Sequence, residues 1–274
     1  MPTRRPIFLY SLLVALFAIT LLYQVRYLPD VVRNERIQSP FFFVDSGSNR
    51  IALATPETRV YGIHTGDRLL AVNGIPFTGS AVLGRARAER KPGVPMEVTI
   101  APKDGKDSDQ RTIALPVTAP QRNAWDFFSS FVIDILLPAV SLLLGFWVAF
   151  RRPSDPMAWL LLGLMLSFPH VLQSFVVHGW PPGWREAGVF YETVLSALFP
   201  IIIFLFGRFF PEPFPKGTRY DRVWRAIQWL CAFPFAVITL SAVVLEVGAL
   251  SDYRSVAGIG AVLNRFESVA QLLA

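Results

Sequence analysis

A long polar stretch lies between apolar segments of this chain, and it limits the available folds more than any other feature. Residues 7–24 carry no charged side chain and are nearly all apolar. Charged residues return at Arg26 and persist until apolar segments resume near Phe127. Within the polar stretch, the residues TGDRLLAVNGIPF (65–77) combine a strand pattern with a turn. The sequence therefore predicts a folded polar module that is attached to membrane-spanning helices.

The composition also indicates a membrane protein. Hydrophobic residues make up 53% of the 274 residues and aromatic residues 14%, which is high for a soluble domain of this length. A helix needs about 20 apolar residues to cross the hydrocarbon core of a bilayer. On this basis we predict five membrane spans, at 7–24, 127–150, 156–177, 187–208 and 226–247. The predicted fold class is a multi-span α-helical membrane protein with an inserted small β-rich (α+β) domain.

The predicted spans divide the chain into four parts. We expect a transmembrane anchor helix at 1–25, the polar module at 38–118, a four-helix transmembrane region at 126–248, and an outer loop with the start of a truncated sixth span at 249–274. The first span is predicted to remain uncleaved, because its apolar run is longer than that of a signal peptide and no small-x-small cleavage site follows it.

Basic residues at the ends of the spans predict the orientation of the chain. If five spans alternate, one side of the membrane receives Arg4, Arg5, Arg151, Arg152, Arg208, Lys216, Arg219, Arg222 and Arg225. That side should be cytoplasmic, so the polar module is expected outside the cytoplasmic (inner) membrane. The formal charge of +6 is explained by these clusters, so we predict the lipid bilayer as a partner and no nucleic acid.

The polar module has the pattern of a small β-domain. Short alternating segments predict strands at 41–45, 50–54, 67–73, 94–101 and 111–117. Apolar residues at helical spacing in SAVLGRARAER (80–90), followed by Lys-Pro-Gly, predict one helix that ends there. Five short strands with one or two helices favour a small, partly open β-barrel.

The segment YGIHTGDRLLAVNGIPF (61–77) resembles the core of a bacterial PDZ domain, and the resemblance extends over residues 38–118. Gly66 suits the tight turn, and Asp67 suits bonds to backbone amides at the start of a strand. Asn73 and Gly74 suit a turn with positive φ. Another small β-domain beyond the membrane is the alternative interpretation.

The resemblance implies a peptide-binding groove between a strand edge and the predicted helix. Its residues would be Phe41, Phe42, Phe43, Val44, Val82 and Leu83. One departure from the family concerns the loop that usually binds a peptide carboxylate. The stretch 38–41 has no glycine, and Pro40 has no amide N–H. Capture of a free carboxylate by this loop is therefore not expected.

The order of anchor helix, outer PDZ-like module and further helices resembles the sensory half of bacterial membrane histidine kinases and membrane-bound serine phosphatases. The resemblance implies a sensor or a peptide- or protein-binding module whose effector domain lies outside these residues. The alternative is a membrane scaffold, or an accessory protein for envelope proteolysis. The sequence has no H-E-x-x-H or G-x-S-x-G motif and one cysteine, so we predict no enzyme activity, metal or cofactor. The oligomeric state stays open, a homodimer included.

Two acidic residues fall within predicted spans. Asp134 lies in the second span and Glu192 near the outer end of the fourth. An ionisable side chain in hydrocarbon is costly unless it is paired or wet, so such residues are often functional. We predict that both take part in sensing or coupling, and Arg185 is the nearest basic residue to Glu192 in the sequence. The alternative is that both reach water at the interface.

Overall fold

A computed structural model of the chain describes residues 4–34, 37, 39–103, 105, 109–119, 124–171, 176–209, 223, 237 and 239–259. The chain divides into two compact units. We call the first the helical unit, which comprises Met1–Leu28, Arg122–Ser174 and Tyr191–Ala242. We call the second the mixed unit, which comprises Pro29–Gln121, Phe175–Phe190 and Val243–Ala274.

The described α-helices are α1 (Arg4–Asn34), α2 (Pro56–Val60), α3 (Ser80–Ala88), α4 (Ala124–Phe131), α5 (Leu137–Arg151), α6 (Pro156–Val171), α7 (Trp184–Phe209) and α8 (Thr239–Ala249). The described strands are β1 (Phe42–Val44), β2 (Ile51–Ala54), β3 (Arg68–Val72), β4 (Ile75–Pro76), β5 (Met96–Ala101) and β6 (Arg111–Leu115). Together they form a mixed α+β protein. Helices α1, α7 and α8 each contribute residues to both units.

Two helices are long and apolar enough to cross a membrane, judged by length and composition. They are Ile7–Arg33 and Trp184–Phe206, each with a mean hydropathy of 2.1, and they include the first and most of the fourth predicted span. Shorter apolar helices occupy Leu137–Arg151, Pro156–His170 and Thr239–Ala249. Residues 210–222, which include Lys216, Arg219 and Arg222, lie outside the described part of the chain. Most of the fifth predicted span and residues 260–274 lie outside it too.

Helices α4 and α5 are joined by a π-helical turn at Val132–Leu136. Pro138 has no amide hydrogen to donate to the carbonyl four residues earlier, which is that of Asp134, and its ring would clash with that carbonyl. The backbone widens immediately before the proline, and the amide of Leu137 bonds the carbonyl of Val132. The helical course thus continues from Ala124 to Arg151 without a break.

The core of the helical unit lies where α1, α5, α6 and α7 meet. Its buried members are Leu13, Leu142, Phe146, Ala149, Leu162, Leu166 and Leu195. Gly145 lets α5 approach α6, because a Cβ at this position would lie 2.9 Å from the Cβ of Met165. The turn between these two helices is held by Asp155, whose side chain accepts a hydrogen bond from the amide of Met157 at 2.9 Å.

The mixed unit contains a four-stranded antiparallel sheet of order β4-β3-β5-β6 and a two-stranded antiparallel sheet of β1 and β2. Backbone bonds link the two sheets, with the amide of Ile51 donating to the carbonyl of Asp67 at 2.8 Å. The five predicted strands and the predicted helix at 80–90 are all present, and β4 and α2 are additional elements.

Alternation along the strands builds the core of the mixed unit. In β5, the side chains of Met96, Val98 and Ile100 are buried, whereas Glu97 is exposed. This period of two sends every second side chain to one face of a strand. Strand β1, strand β2 and helix α3 complete this core with Phe42, Ile51, Ala54, Leu83 and Ala86.

Candidate functional site

The two turns that flank β3 adopt the backbone conformations that their residue types suit. Gly66, Asn73 and Gly74 have φ angles of 95°, 48° and 75°, in the left-handed region that favours glycine and asparagine. Asp67 is buried, and its Oδ2 accepts a hydrogen bond from the amide of His64 at 2.9 Å. Gly66 and Asp67 therefore fix the turn that leads into β3, and Asn73 and Gly74 form the turn between β3 and β4.

A groove runs between β1, with the turn that follows it, and helix α3. Phe43 and Val44 line one wall, and Leu83, Gly84 and Arg87 line the other. The open volume that remains in the groove is about 30 Å³, which is room for about two water molecules. The groove is therefore nearly filled by this chain.

The six residues predicted for peptide binding do not all reach this groove. Phe43, Val44 and Leu83 line it, and the ring of Phe41 packs edge-on against Phe43 at 4.6 Å. Phe42 is fully buried in the core of the mixed unit. Val82 lines a separate cleft near Val72 and Asn73.

Arg87 occupies the outer edge of β1. Its guanidinium lies 4.2 Å from the centre of the Phe41 ring and donates a hydrogen bond of 2.6 Å to the carbonyl oxygen of Phe42. The carbonyl of Phe41 instead accepts from Thr55, and successive carbonyls in a strand point to opposite sides. Arg87 therefore occupies the edge position that an added peptide strand would use.

Burial, with a smaller contribution from the neighbouring charge of Arg90, lowers the pKa of Arg87 to about 9. The guanidinium is still positively charged at neutral pH. Arg90 lies beside it and donates to the carbonyl of Arg87 at 2.8 Å. No carboxylate of the described residues lies within ion-pair distance of either arginine. Arg87 therefore places a positive charge in the wall of the groove that α3 forms.

A short 3-10 turn, Val176–Gly179, covers the groove along α3. Two glycines allow this approach. A Cβ at Gly84 would lie 2.5 Å from the carbonyl carbon of His178, and a Cβ at Gly179 would lie 2.7 Å from the Cβ of Ala88. Both distances are shorter than any real Cβ contact, so only glycine fits at either position. We call this turn the first covering segment.

The end of α8 and the residues after it cover the start of α3. The amide of Ala81 donates to the carbonyl of Leu250 at 3.1 Å, and the amide of Tyr253 donates to the carbonyl of Thr78 at 2.8 Å. The ring of Tyr253 stacks on Phe77 with the ring centres 5.9 Å apart. A Cβ at Gly79 would lie 2.4 Å from the carbonyl oxygen of Ala249. We call residues 246–253 the second covering segment.

Each covering segment has a further polar anchor. Ser46, in the turn after β1, donates to Glu246 at 2.6 Å. Trp180, next to the first covering segment, donates through its indole nitrogen to Asp30 at 2.8 Å. Both contacts lie within the mixed unit. Four parts of the sequence that are far apart along the chain thus meet around one groove.

Glu192 lies in a cluster of aromatic side chains in the helical unit. The hydroxyl of Tyr23 donates to a carboxylate oxygen of Glu192. The Tyr23 ring packs on Tyr191 with centres 4.6 Å apart and on His170 at 5.3 Å. Helices α1, α6 and α7 thus bring these four residues together. The sequence pointed to Arg185 as the nearest base, but Arg185 pairs with Glu186 at 2.8 Å.

Sequence reasoning missed these aromatic partners, although Tyr23 and Tyr27 stand four residues apart and stack in α1, as such spacing allows. Asp134 lies in the π-helical turn, and its side chain is outside the part that the structure describes. Within the described residues, no group of three or more His, Cys, Asp or Glu side chains could hold a metal ion. Comparison of the chain with protein-family models, with curated proteins and with solved structures found no match.

Proposed function

We propose that this chain is the membrane-embedded sensory part of a bacterial signalling protein, whose PDZ-like module binds an extended peptide or protein segment outside the cytoplasmic membrane. One observation carries the proposal. The groove between β1 and α3 is covered by two segments of the same chain, of which the first precedes α7 in the sequence and the second contains the end of α8. A ligand can enter the groove only by displacing them.

Displacement of the covering segments by a ligand would couple the groove to helices α7 and α8. A ligand shifts a conformational equilibrium when its affinity differs between two states. A peptide that adds to β1 would favour the uncovered state, because Arg87 and the covering segments compete with it for the same edge. Release of residues 246–253 would then alter the end of α8, and release of Val176–Gly179 would alter the residues that lead into α7.

The membrane part of the proposal is that five helices cross the bilayer, with the mixed unit outside. This part is supported by the two helices that are long and apolar enough to cross a membrane. The continuous helical stretch from Ala124 to Arg151 supports it as well. Reporter fusions at Gly105 and Gly217 test it. The Gly105 fusion should report an outer location and the Gly217 fusion a cytoplasmic one. Two fusions on the same side would refute the span count.

The ligand test uses the full chain in nanodiscs. The double variant Gly79→Ala, Gly84→Ala should uncover the groove, whereas Gly258→Ala is the control because open space surrounds a Cβ there. Peptides selected by phage display on the double variant should bind it at least about tenfold more tightly than they bind the wild type and the control, since closure lowers the population of the competent state. Equal affinities in all three proteins would contradict the proposal.

The alternative function is a scaffold that binds envelope proteins without passing on a signal. Hydrogen exchange separates the two functions. A sensor should show faster amide exchange at Ala81 and Tyr253, and in α8, when a selected peptide binds the wild-type chain. A scaffold should bind the peptide with no change in α8.

A further inference from the structure

A second, apolar cleft lies in the helical unit between α1 and the segment formed by the π-helical turn and α5. Its volume is about 340 Å³, which is within the range of small-molecule sites. A cavity of about 150 Å³ holds benzene, so this cleft has room for about a dozen carbon atoms.

Two matched stripes of residues line the cleft. The stripe on α1 consists of Phe17, Thr20, Leu21, Gln24, Val25 and Leu28, and the facing stripe has the same spacing from Ile135 to Phe146. Each stripe rises by 1.5 Å per residue and so extends for about 16 Å. The cleft is therefore long and narrow, a shape that fits one extended hydrocarbon chain.

Gln24 contributes to the cleft a side-chain amide that needs a hydrogen-bond acceptor. Its side-chain nitrogen Nε2 is buried and has no hydrogen-bond partner among the described residues. Thr20, the other polar residue among the described residues of the lining, already bonds the hydroxyl of Tyr191 at 3.1 Å. A buried amide nitrogen needs an acceptor, so the occupant should carry an oxygen acceptor at the Gln24 end of its apolar chain.

The position of Gln24 in α1 indicates where that acceptor comes from. The uncharged part of α1 begins after Arg5 and ends at Arg26, two residues beyond Gln24. If α1 crosses the bilayer as proposed above, Gln24 lies near the interface, where the ester carbonyls of phospholipids lie. The more apolar end of the cleft, at Phe17 and Phe146, then lies deeper in the hydrocarbon.

We propose that this cleft holds one acyl chain of a bilayer phospholipid, and that an ester carbonyl oxygen of this lipid accepts a hydrogen bond from Gln24 Nε2. The lipid fills the space between α1 and α5 and satisfies the buried amide. Among the described residues that line the cleft, none has a charged side chain, so the site selects the acyl chain and its ester rather than a particular headgroup.

The test measures lipid retention by the full chain. The protein is reconstituted with phosphatidylethanolamine and phosphatidylglycerol, extracted in a mild detergent that removes loosely bound lipid, and analysed by native mass spectrometry. Ala139 lines the cleft, whereas Val140 does not and is exposed. Ala139→Trp should abolish retention, and Val140→Trp should keep one phospholipid per chain, as in the wild type. Equal retention in both variants would overturn the proposal.

The variant Gln24→Leu tests the hydrogen bond to the lipid ester independently of the space that the cleft offers to the acyl chain. Loss of one hydrogen bond to an uncharged group should weaken lipid retention by about two- to tenfold, and unchanged retention would refute the role of Gln24. In a competition arm, 1-decanol is added to the wild type. Displacement of the phospholipid by an equimolar amount of decanol would show that a free single-chain amphiphile is the preferred occupant, against the proposal.

This inference rests on the proposed membrane position of α1, and the two can fail separately. A chain that stays in solution without detergent would refute the membrane position. A chain that needs detergent but retains no phospholipid would refute only the lipid site.

Discussion

Substitution of Gly84 by alanine should change the stability of the module in opposite directions, depending on whether the first covering segment is present. Gly84 lies inside α3, where alanine is favoured over glycine by about 0.5–1 kcal/mol. In the segment 38–118, which we expect to fold alone, nothing covers this position. Gly84→Ala should therefore raise the Tm of the isolated segment, by about 2–8 °C for a domain of this size.

In the full chain, the same methyl group meets the first covering segment. The added Cβ would lie 2.5 Å from both the carbonyl carbon and the Cβ of His178. Carbon atoms prefer a separation of about 3.5–4.0 Å, so the turn must move by about 1–1.5 Å. Overpacking of this kind costs about 1–3 kcal/mol, which exceeds the gain in helix propensity. The turn should therefore detach from α3.

The assay compares thermal melts of the isolated segment with limited proteolysis of the full chain in nanodiscs. Gly84→Ala should raise the melting temperature of the segment and speed cleavage near residue 178 in the full chain. Gly258→Ala is the control, because its Cβ would meet open space. A fall in the melting temperature of the isolated segment, or protection near residue 178 equal to that of the wild type, would refute the reasoning.

Three further predictions concern single side chains. Gly79→Ala, at a φ of −174° that any residue adopts, should speed amide exchange at Ala81 and Tyr253 but not in β5, and uniform acceleration would contradict it. Arg87→Gln should lower the free energy of unfolding in urea by about 1–3 kcal/mol through loss of a charged hydrogen bond and ring contact, and full rescue by Arg87→Lys would argue against the planar contact. Tyr23→Phe should lower the thermal stability of the detergent-solubilised chain by about 1–3 kcal/mol, whereas Tyr10→Phe, at an exposed position of the same helix, should have no effect; equal effects would refute the Tyr23–Glu192 bond.

The local elements of the mixed unit could be predicted because their signals lie within a few residues. Strand β5 follows from strict alternation in MEVTIA (96–101), and the turn at Asn73-Gly74 follows from the need for positive φ. Helix α2 was missed although its signal was present. Thr55 is the N-cap, Pro56 stands at the first helical position, and the side chain of Thr55 accepts from the amide of Thr58, in accord with the usual start of a helix.

The covering segments could not be predicted, because their contacts join residues that are far apart in the sequence. Ala81 meets Leu250, and Gly84 meets His178. The only local hint was a glycine within a predicted helix, since such a glycine is costly and often permits a close approach. This glycine indicates that another part of the chain packs against α3, but it does not indicate which segment. Glu192 is a similar case, because the sequence gives its depth but not its partner Tyr23.

The strength of the closure bears on how a ligand could act. Two backbone hydrogen bonds contribute about 0.5–1.5 kcal/mol each, and the stacking of Tyr253 on Phe77 adds about 0.5–1.5 kcal/mol. A closure worth about 2–4 kcal/mol would weaken an external peptide by about 30- to 900-fold relative to the uncovered groove. A peptide with a dissociation constant of about 1 μM for the uncovered groove would then bind the closed chain with a dissociation constant of about 30 μM to 0.9 mM. In the sensor proposed above, such a groove would respond only when its ligand is abundant or is held nearby, for example on a protein at the same membrane surface.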